Sequence, residues 1–267
     1  MIIIGELING TRKNHKAAIA ERNAEYVADL ARRQAEAGAA FIDVNPGTTG
    51  DAEVTDMRWL VETAQAATDR PLSFDSPNVA AIEAAFEVYR GSETPMVNSI
   101  TAEQARLDSL LGVVADTGAN VAALAMGDEG MPCIAGQRED TARRLIDTLV
   151  SAGVQPERIF VDPVITPLST DQNTGLLVFQ AIRAIKEHCP ECHVTCGLSN
   201  ISYGLPNRKL MNRVFLALSM MAGLDAAIMD PLDGKIMAEL VTAEALLGMD
   251  EWCMGYITAA RAGKLEV

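Results

Sequence analysis

MIIIGELING, residues 1–10, decides between two α/β architectures. Its run MIIIGE (1–6) is apolar on both faces instead of alternating, the pattern of a strand buried on both sides of a parallel sheet. The turn that follows lacks the glycine-rich pattern that opens a doubly wound nucleotide-binding sheet. Seven more runs of the same kind succeed it: AFIDVN (40–45), PLSFDS (71–76), PMVNS (95–99), NVAALAM (120–126), RIFVDP (158–163), HVTCGLS (193–199) and DAAIMD (225–230). Helical patterns fill the intervals. Thr101 with Gln104 reads as a capping box, and Leu107, Leu110, Leu111 and Val114 mark one apolar stripe behind it. Gly38, Gly118, Gly153 and Gly223 stand where helices should stop. Eight strand–helix units in about 230 residues predict an α/β fold, a (β/α)₈ TIM barrel. With no linker, low-complexity run or composition break, residues 1–267 read as a single domain.

Composition narrows the partners. The net charge of −14 excludes a nucleic-acid polyanion, which requires clustered Lys and Arg. No stretch approaches the roughly 20 unbroken apolar residues of a membrane span. The N-terminus has no basic segment before its apolar run, so it does not read as a signal peptide. Five cysteines without a secretion signal predict reduced thiols in a cytoplasmic protein. CPECHVTC (189–196) has a superficial zinc-ligand spacing, but it spans a helix end and a buried strand. Ordinary thiols at Cys189, Cys192 and Cys196, and no metal, are expected. His15, His188 and His193 are not expected to be catalytic. His193 opens a strand at the end away from the active face.

In such a barrel the chemistry sits at the C-terminal strand ends. Those ends carry Glu6 with Asn9, Asp43 with Asn45, Asp75, Asn98, Asp128, Asp162, Ser199 with Asn200, and Asp230. Any one of these suits a helix cap; the set is harder to dismiss, because Asp75, Asn98 and Asp162 precede the loops. Carboxylates and amides at a rim without His or Lys suit a flat heterocycle with adjacent donors and acceptors, such as the 2-amino-4-oxo edge of a pterin. CGLSNISYGLPNR (196–208) adds a bare amide, Asn200, with no nucleophile and base beside it.

The chain resembles the methyltetrahydrofolate:corrinoid protein methyltransferases of the pterin-binding barrel superfamily over essentially its whole length. The resemblance is carried in order by IIIGELING (2–10), ARRQAEAGA (31–39), DVN (43–45), FDSPN (74–78), VNS (97–99), VDPVI (161–165), GLSNIS (197–202), NR (207–208) and LDAAIMD (224–230). It implies that Asp75, Asn98 and Asp162 hold the pterin ring and that Asn200 approaches N5 as the catalytic residue. Gly197, Ser199, Arg208, Glu6 and Asn9 look like further substrate-binding residues. It also implies methyltetrahydrofolate or tetrahydrofolate as substrate, a corrinoid supplied by a partner protein instead of bound permanently, and a homodimer. No Asp-x-His-x-x-Gly type cobalamin motif is present. Tyr203 departs from relatives that can carry an amide there.

Dihydropteroate synthase resembles the same barrel, but its relatives carry a lysine where this chain has SNIS. They also carry a basic pair after the last strand, where this chain has MDPLDGK with only Lys235. A non-catalytic pterin-binding subunit is a second alternative, and an unrelated barrel whose strand-end acids bind a metal is a third.

Overall fold

The computed structural model describes residues 1–132 and 136–265. Eight parallel strands alternate with helices: β1 (Ile2–Asn9), α1 (Lys13–Ala20), α2 (Ala24–Glu36), β2 (Phe41–Asn45), α3 (Asp51–Gln65), β3 (Leu72–Asp75), α4 (Val79–Val88), β4 (Met96–Thr101) and α5 (Gln104–Thr117). The chain continues with β5 (Asn120–Leu124), α6 (Gln137–Ser151), β6 (Ile159–Asp162), α7 (Thr174–His188), β7 (His193–Val194), α8 (Arg208–Ala222), β8 (Ala226–Met229), α9 (Gly234–Leu246) and α10 (Met254–Arg261). Neighbouring strands pair in sequence order, and β1 pairs with β8. The remaining seam closes where Ile228 N–H donates to the Cys196 carbonyl at 2.9 Å and Gly197 bridges Ile228. This is the (β/α)₈ barrel expected from the repeated two-faced apolar runs.

Burial on both faces of each strand creates two cores. Ile4, Phe41, Met96, Ala122, Phe160 and Ala226 point into the barrel and fill it, with Phe41 and Phe160 meeting edge to face at 6.0 Å. A larger cluster, including Ile42, Val44, Phe74, Val97 and Val161, lies between the strands and the helices. Truncating a buried plug residue such as Phe160 to Ala would cost about 3–5 kcal/mol. That closed interior leaves the C-terminal strand ends as the concave surface.

Gly118 and Gly223 adopt left-handed caps at the ends of α5 and α8, and Gly38 and Gly153 follow α2 and α6 with φ of 101° and 94°. Three local expectations need correction. Thr101 is the last residue of β4 and not a helix cap: its hydroxyl bonds Glu103, which holds the N-cap position of α5. The run 193–199 pairs as a strand only at its start. From Leu198 to Ser202 it is a 3₁₀ turn, pinned by the buried Leu198 and Ile201. Cys189 and Cys192 are joined as a disulfide, against the expected thiols. The turn after α7 brings their Cα atoms to 5.4 Å, inside the bonding range, which spacing alone did not reveal. Cys196 is a buried thiol, and Cys133 lies outside the described residues.

Candidate active site at the strand ends

Two polar groups form at the C-terminal end of the barrel. The first lies on β2, β3 and β4. Asp75 and Asn98 are register partners, and Asn45 Nδ2 donates to Asp75 Oδ2 at 2.7 Å. Asn98 Nδ2 donates to Asp43 Oδ1 at 3.1 Å, and the neighbouring Asp75 carboxylate acts on Asp43 through its charge. The β4 register shifts just after Asn98, between Asn98 and Ile100, an irregularity that re-aims side chains at a strand end. Close approach of two loops secures this wall. Gly47 has φ +66°, and a Cβ on Gly10 would meet the Pro46 carbonyl oxygen at 2.0 Å. Only glycine fits at Gly10, so the GELING and DVNPG segments lock together.

The second group surrounds an open cavity of about 960 Å³. Its walls include Glu6, Asn9, Arg12, Ser199, Asn200, Tyr203, Arg208 and Asp230. Asn200 sits on the Leu198–Ser202 turn, and its side-chain amide makes no hydrogen bond to a described residue. A Cβ at Gly197 would come within 3.0 Å of the Asn200 Nδ2, so the glycine leaves room for that amide. Arg208 laces the turn from behind: its Nη2 donates to the Ser199 carbonyl at 2.7 Å and its Nε to Ser202 Oγ at 3.1 Å. The guanidinium also lies over the Tyr203 ring, 5.7 Å from its centroid. Asn9 uses its carbonyl oxygen on Thr11 N–H at 2.9 Å, which leaves its amide donor toward the cavity. Glu6 is paired with Arg12 at 2.6 Å.

Asp162 connects the two groups. Its carboxylate accepts from Val164 N–H at 2.8 Å, and the backbone of Gly197, just before the Asn200 turn, also favours its ionised form. Val164 holds φ +61°, a strained conformation for a β-branched residue, and its carbonyl accepts from Arg138 at 3.2 Å. Asp128 stays apart, exposed at the start of α5 near Gln104 N–H at 3.5 Å. For this residue a helix-terminal role suffices.

Burial dominates the electrostatics. Asp43 is raised well above the ordinary carboxylate range by burial, then by the charge of Asp75. Burial raises Asp75 too, opposed by its bonds to Asn45 and Asp43. Two neighbouring buried carboxyls disfavour each other's ionisation, which pushes Asp43 furthest toward its neutral form. Burial pushes Asp162 up to about 6. Glu6 is raised by burial against the opposing Arg12. The set therefore offers three buried carboxyl groups and two amides, with Asn98 Oδ1 and the whole Asn200 amide uncommitted. That donor–acceptor set fits the edge of a pterin ring. Among the described residues no group of three or more His, Cys, Asp or Glu could hold a metal ion.

Asp43 and Asn45 stood on the rim in the sequence without an assigned part. The DVN pattern at the end of β2 was the available signal; its link to Asn98 was not visible. Of the histidines, His15 reaches the cavity wall with its Nδ1 on the Tyr26 hydroxyl at 2.8 Å. His193 sits at the start of β7, 3.0 Å from Asp225.

A barrel with these strand-end acids and amides defines the class. A family model described as pterin binding enzyme matches residues 5–230, and the chain belongs to that family. Within it the chain falls among the methyltransferases: it is 37% identical to the methylcorrinoid:tetrahydrofolate methyltransferase of Eubacterium limosum, over 99% of this chain and 98% of that one. It is also 32% identical to methionine synthase of Mycobacterium tuberculosis over 85% of this chain, which spans only 20% of that longer protein. Among solved structures, dihydropteroate synthase of Xanthomonas albilineans in complex with 7,8-dihydropteroate matches with a TM-score of 0.68 and 20% identity. That match covers 92% of this chain and 93% of the other, a likeness of fold.

Proposed function

We propose that this protein transfers a methyl group between N5 of tetrahydrofolate and the cobalt of a corrinoid carried on a separate protein. The full-length similarity to the Eubacterium limosum enzyme supports the reaction, and the reaction's direction is taken from that enzyme's name, onto tetrahydrofolate. The observation that carries the mechanism is the uncommitted Asn200 side-chain amide on the cavity wall.

The ring is held by Asp75, Asn98 and Asp162, with Gly197, Ser199, Arg208, Glu6 and Asn9 completing the wall. The corrinoid supplies the methyl group and accepts the bonding electron pair. The chain's own task is to position the folate and manage the proton on N5. Asn200 Oδ1 accepts from N5–H, which aims the nitrogen lone pair at the incoming methyl. As the N–C bond forms and the cobalt–carbon bond breaks, N5 becomes positively charged, and the amide oxygen stabilises it until its proton passes to water. In the reverse direction the same amide steadies a protonated N5, making the amine a better leaving group. Oriented dipoles suffice for both, and no ionisable partner is needed.

The corrinoid protein is the partner. A second copy of this chain is the other, on the exposed α8 stripe Val214, Leu218 and Met221, side chains spaced to form one face. We place the protein in the cytoplasm; among the described residues no helix is long and apolar enough to cross a membrane. Asp75→Ala, Asn98→Ala and Asp162→Ala should each weaken methyltetrahydrofolate binding by about 1–3 kcal/mol. Calorimetry showing unchanged affinity in all three would end the assignment.

A further inference from the structure

The cavity at the barrel mouth continues past its rim. Arg208, Lys209 and Asp233 also line a larger groove of about 1440 Å³ between the first turns of α8 and α9 and the helix α10. Leu210, Pro231, Met237, Val241 and Met254 give this groove an apolar floor. Its edges are cationic: Lys209, Arg213, Lys235 and Lys264, with Arg208 at the junction. Asp233 is the one acid among the described lining residues, and it is already paired with Lys209 at 3.0 Å. The chain as a whole has 22 basic against 36 acidic residues, so this concentration runs against its average.

Arg213 supplies a second observation. Its Nε is shut off from solvent and has no hydrogen-bond partner among the described residues. A shielded guanidinium donor without an acceptor is costly, and because Arg213 lines the groove an anion beside its guanidinium would offset that cost through charge. Lys235 and Lys264 project exposed ammonium groups beside it.

We propose that this groove binds the tail of the folate. The apolar floor takes the benzoyl ring, Arg208 and Lys209 at the junction take the first glutamate's carboxylates, and Lys235 and Lys264 take those of a γ-linked oligoglutamate extension. This inference rests on the folate reading above and extends it from the ring to the chain length of the substrate. The groove's continuity with the cavity through Arg208 and Lys209 gives the tail a path out of the barrel mouth. A surface closed by a second copy, or by an acidic face of the corrinoid protein, would leave the tail in solvent.

The test compares tetrahydrofolate monoglutamate with the triglutamate by calorimetry on the full chain. The triglutamate should bind roughly 3- to 30-fold tighter, two added carboxylates each meeting a partly exposed cation. That advantage should shrink as salt is raised. The double variant Lys235→Glu/Lys264→Glu, at exposed positions away from the ring, should lose the advantage while keeping monoglutamate affinity within about 2-fold. Equal affinity of both folates for the native chain overturns the groove assignment and leaves the ring site standing. An undiminished triglutamate advantage in the double variant also overturns it. A shift from dimer to monomer in that variant, seen by sedimentation, would assign the groove to a second copy instead. Failure of either folate to bind would overturn the folate reading itself.

Discussion

Asn98 Nδ2 donates to Asp43 Oδ1 at 3.1 Å, a bond that reaches from β4 across β3 to β2. The bond fixes which way the Asn98 amide is turned. With its NH₂ committed below, its carbonyl oxygen is the atom left for a ligand N–H. Burial and the charge of Asp75 push Asp43 toward its neutral form. An asparagine at position 43 is neutral at every pH and can still accept from Asn98. Asp43→Asn should therefore keep folate affinity within about 3-fold, whereas Asp43→Ala should lose about 10-fold or more, the cost of an unpaired buried amide. Equal, large losses in both variants, measured by calorimetry, would mean that Asp43 works as an anion.

If Asp162 holds the ring as proposed, it should set the pH dependence of ring binding. Burial lifts its carboxyl to about 6 in the free protein, and a carboxylate is the form that accepts two ring N–H bonds. Above pH 7 the group is ionised, and affinity should be flat. As pH falls through 6 the proton must be displaced before the ring binds, so affinity should fall, toward tenfold per unit at the steepest. Asp75, also raised by burial, contributes in the same direction. Asp162→Asn should bind more weakly at pH 7 and flatten the profile between pH 7 and 5. A native profile that rises on acidification would exclude this role.

The barrel was legible because all eight strands are buried on both faces, so each run announces itself without needing its neighbours. Two rim acids were visible in the same way, because Asp75 and Asp162 are the last residues of β3 and β6. The parts that escaped depend on contacts between segments far apart in sequence. Asp43 reads like any strand-end acid until Asn98, 55 residues on, is seen to bond it. The strand expected over 193–199 stops early because the side chains of Leu198 and Ile201 anchor a turn, and local apolarity does not separate those outcomes. The Cys189–Cys192 bond likewise needed the turn after α7.

Arg208 is a positioning residue for Asn200. It reaches the Ser199 carbonyl and Ser202 Oγ, the backbone and side chain on either side of the amide. Arg208→Ala should loosen the turn and lower the rate of methyl transfer about 10-fold, while ring affinity, carried by other strands, changes less than about 3-fold. Arg208→Lys keeps the charge but loses the fork, so it should recover only part of the rate. Full recovery by lysine would make the contribution one of charge alone.

Asn200 separates catalysis from binding. Its amide has no partner among the described residues, so its value to the reaction lies in what it does at N5. If the amide stabilises charge developing on that nitrogen, the interaction strengthens on the way to the transition state. Interactions of that kind change kcat, whereas uniform ones change only KM. Asn200→Ala should lower single-turnover transfer from saturating methyltetrahydrofolate to free cob(I)alamin by about one to three orders of magnitude, the scale of a lost oxyanion-type contact. Folate affinity should weaken less than the rate, because Asp75, Asn98 and Asp162 still hold the ring. Asn200→Asp keeps the acceptor and removes the donor. Appreciable activity in that variant would identify acceptance from protonated N5 as the working contact. A native rate in Asn200→Ala would show that the proton on N5 is handled by water, and that the asparagine serves only its turn.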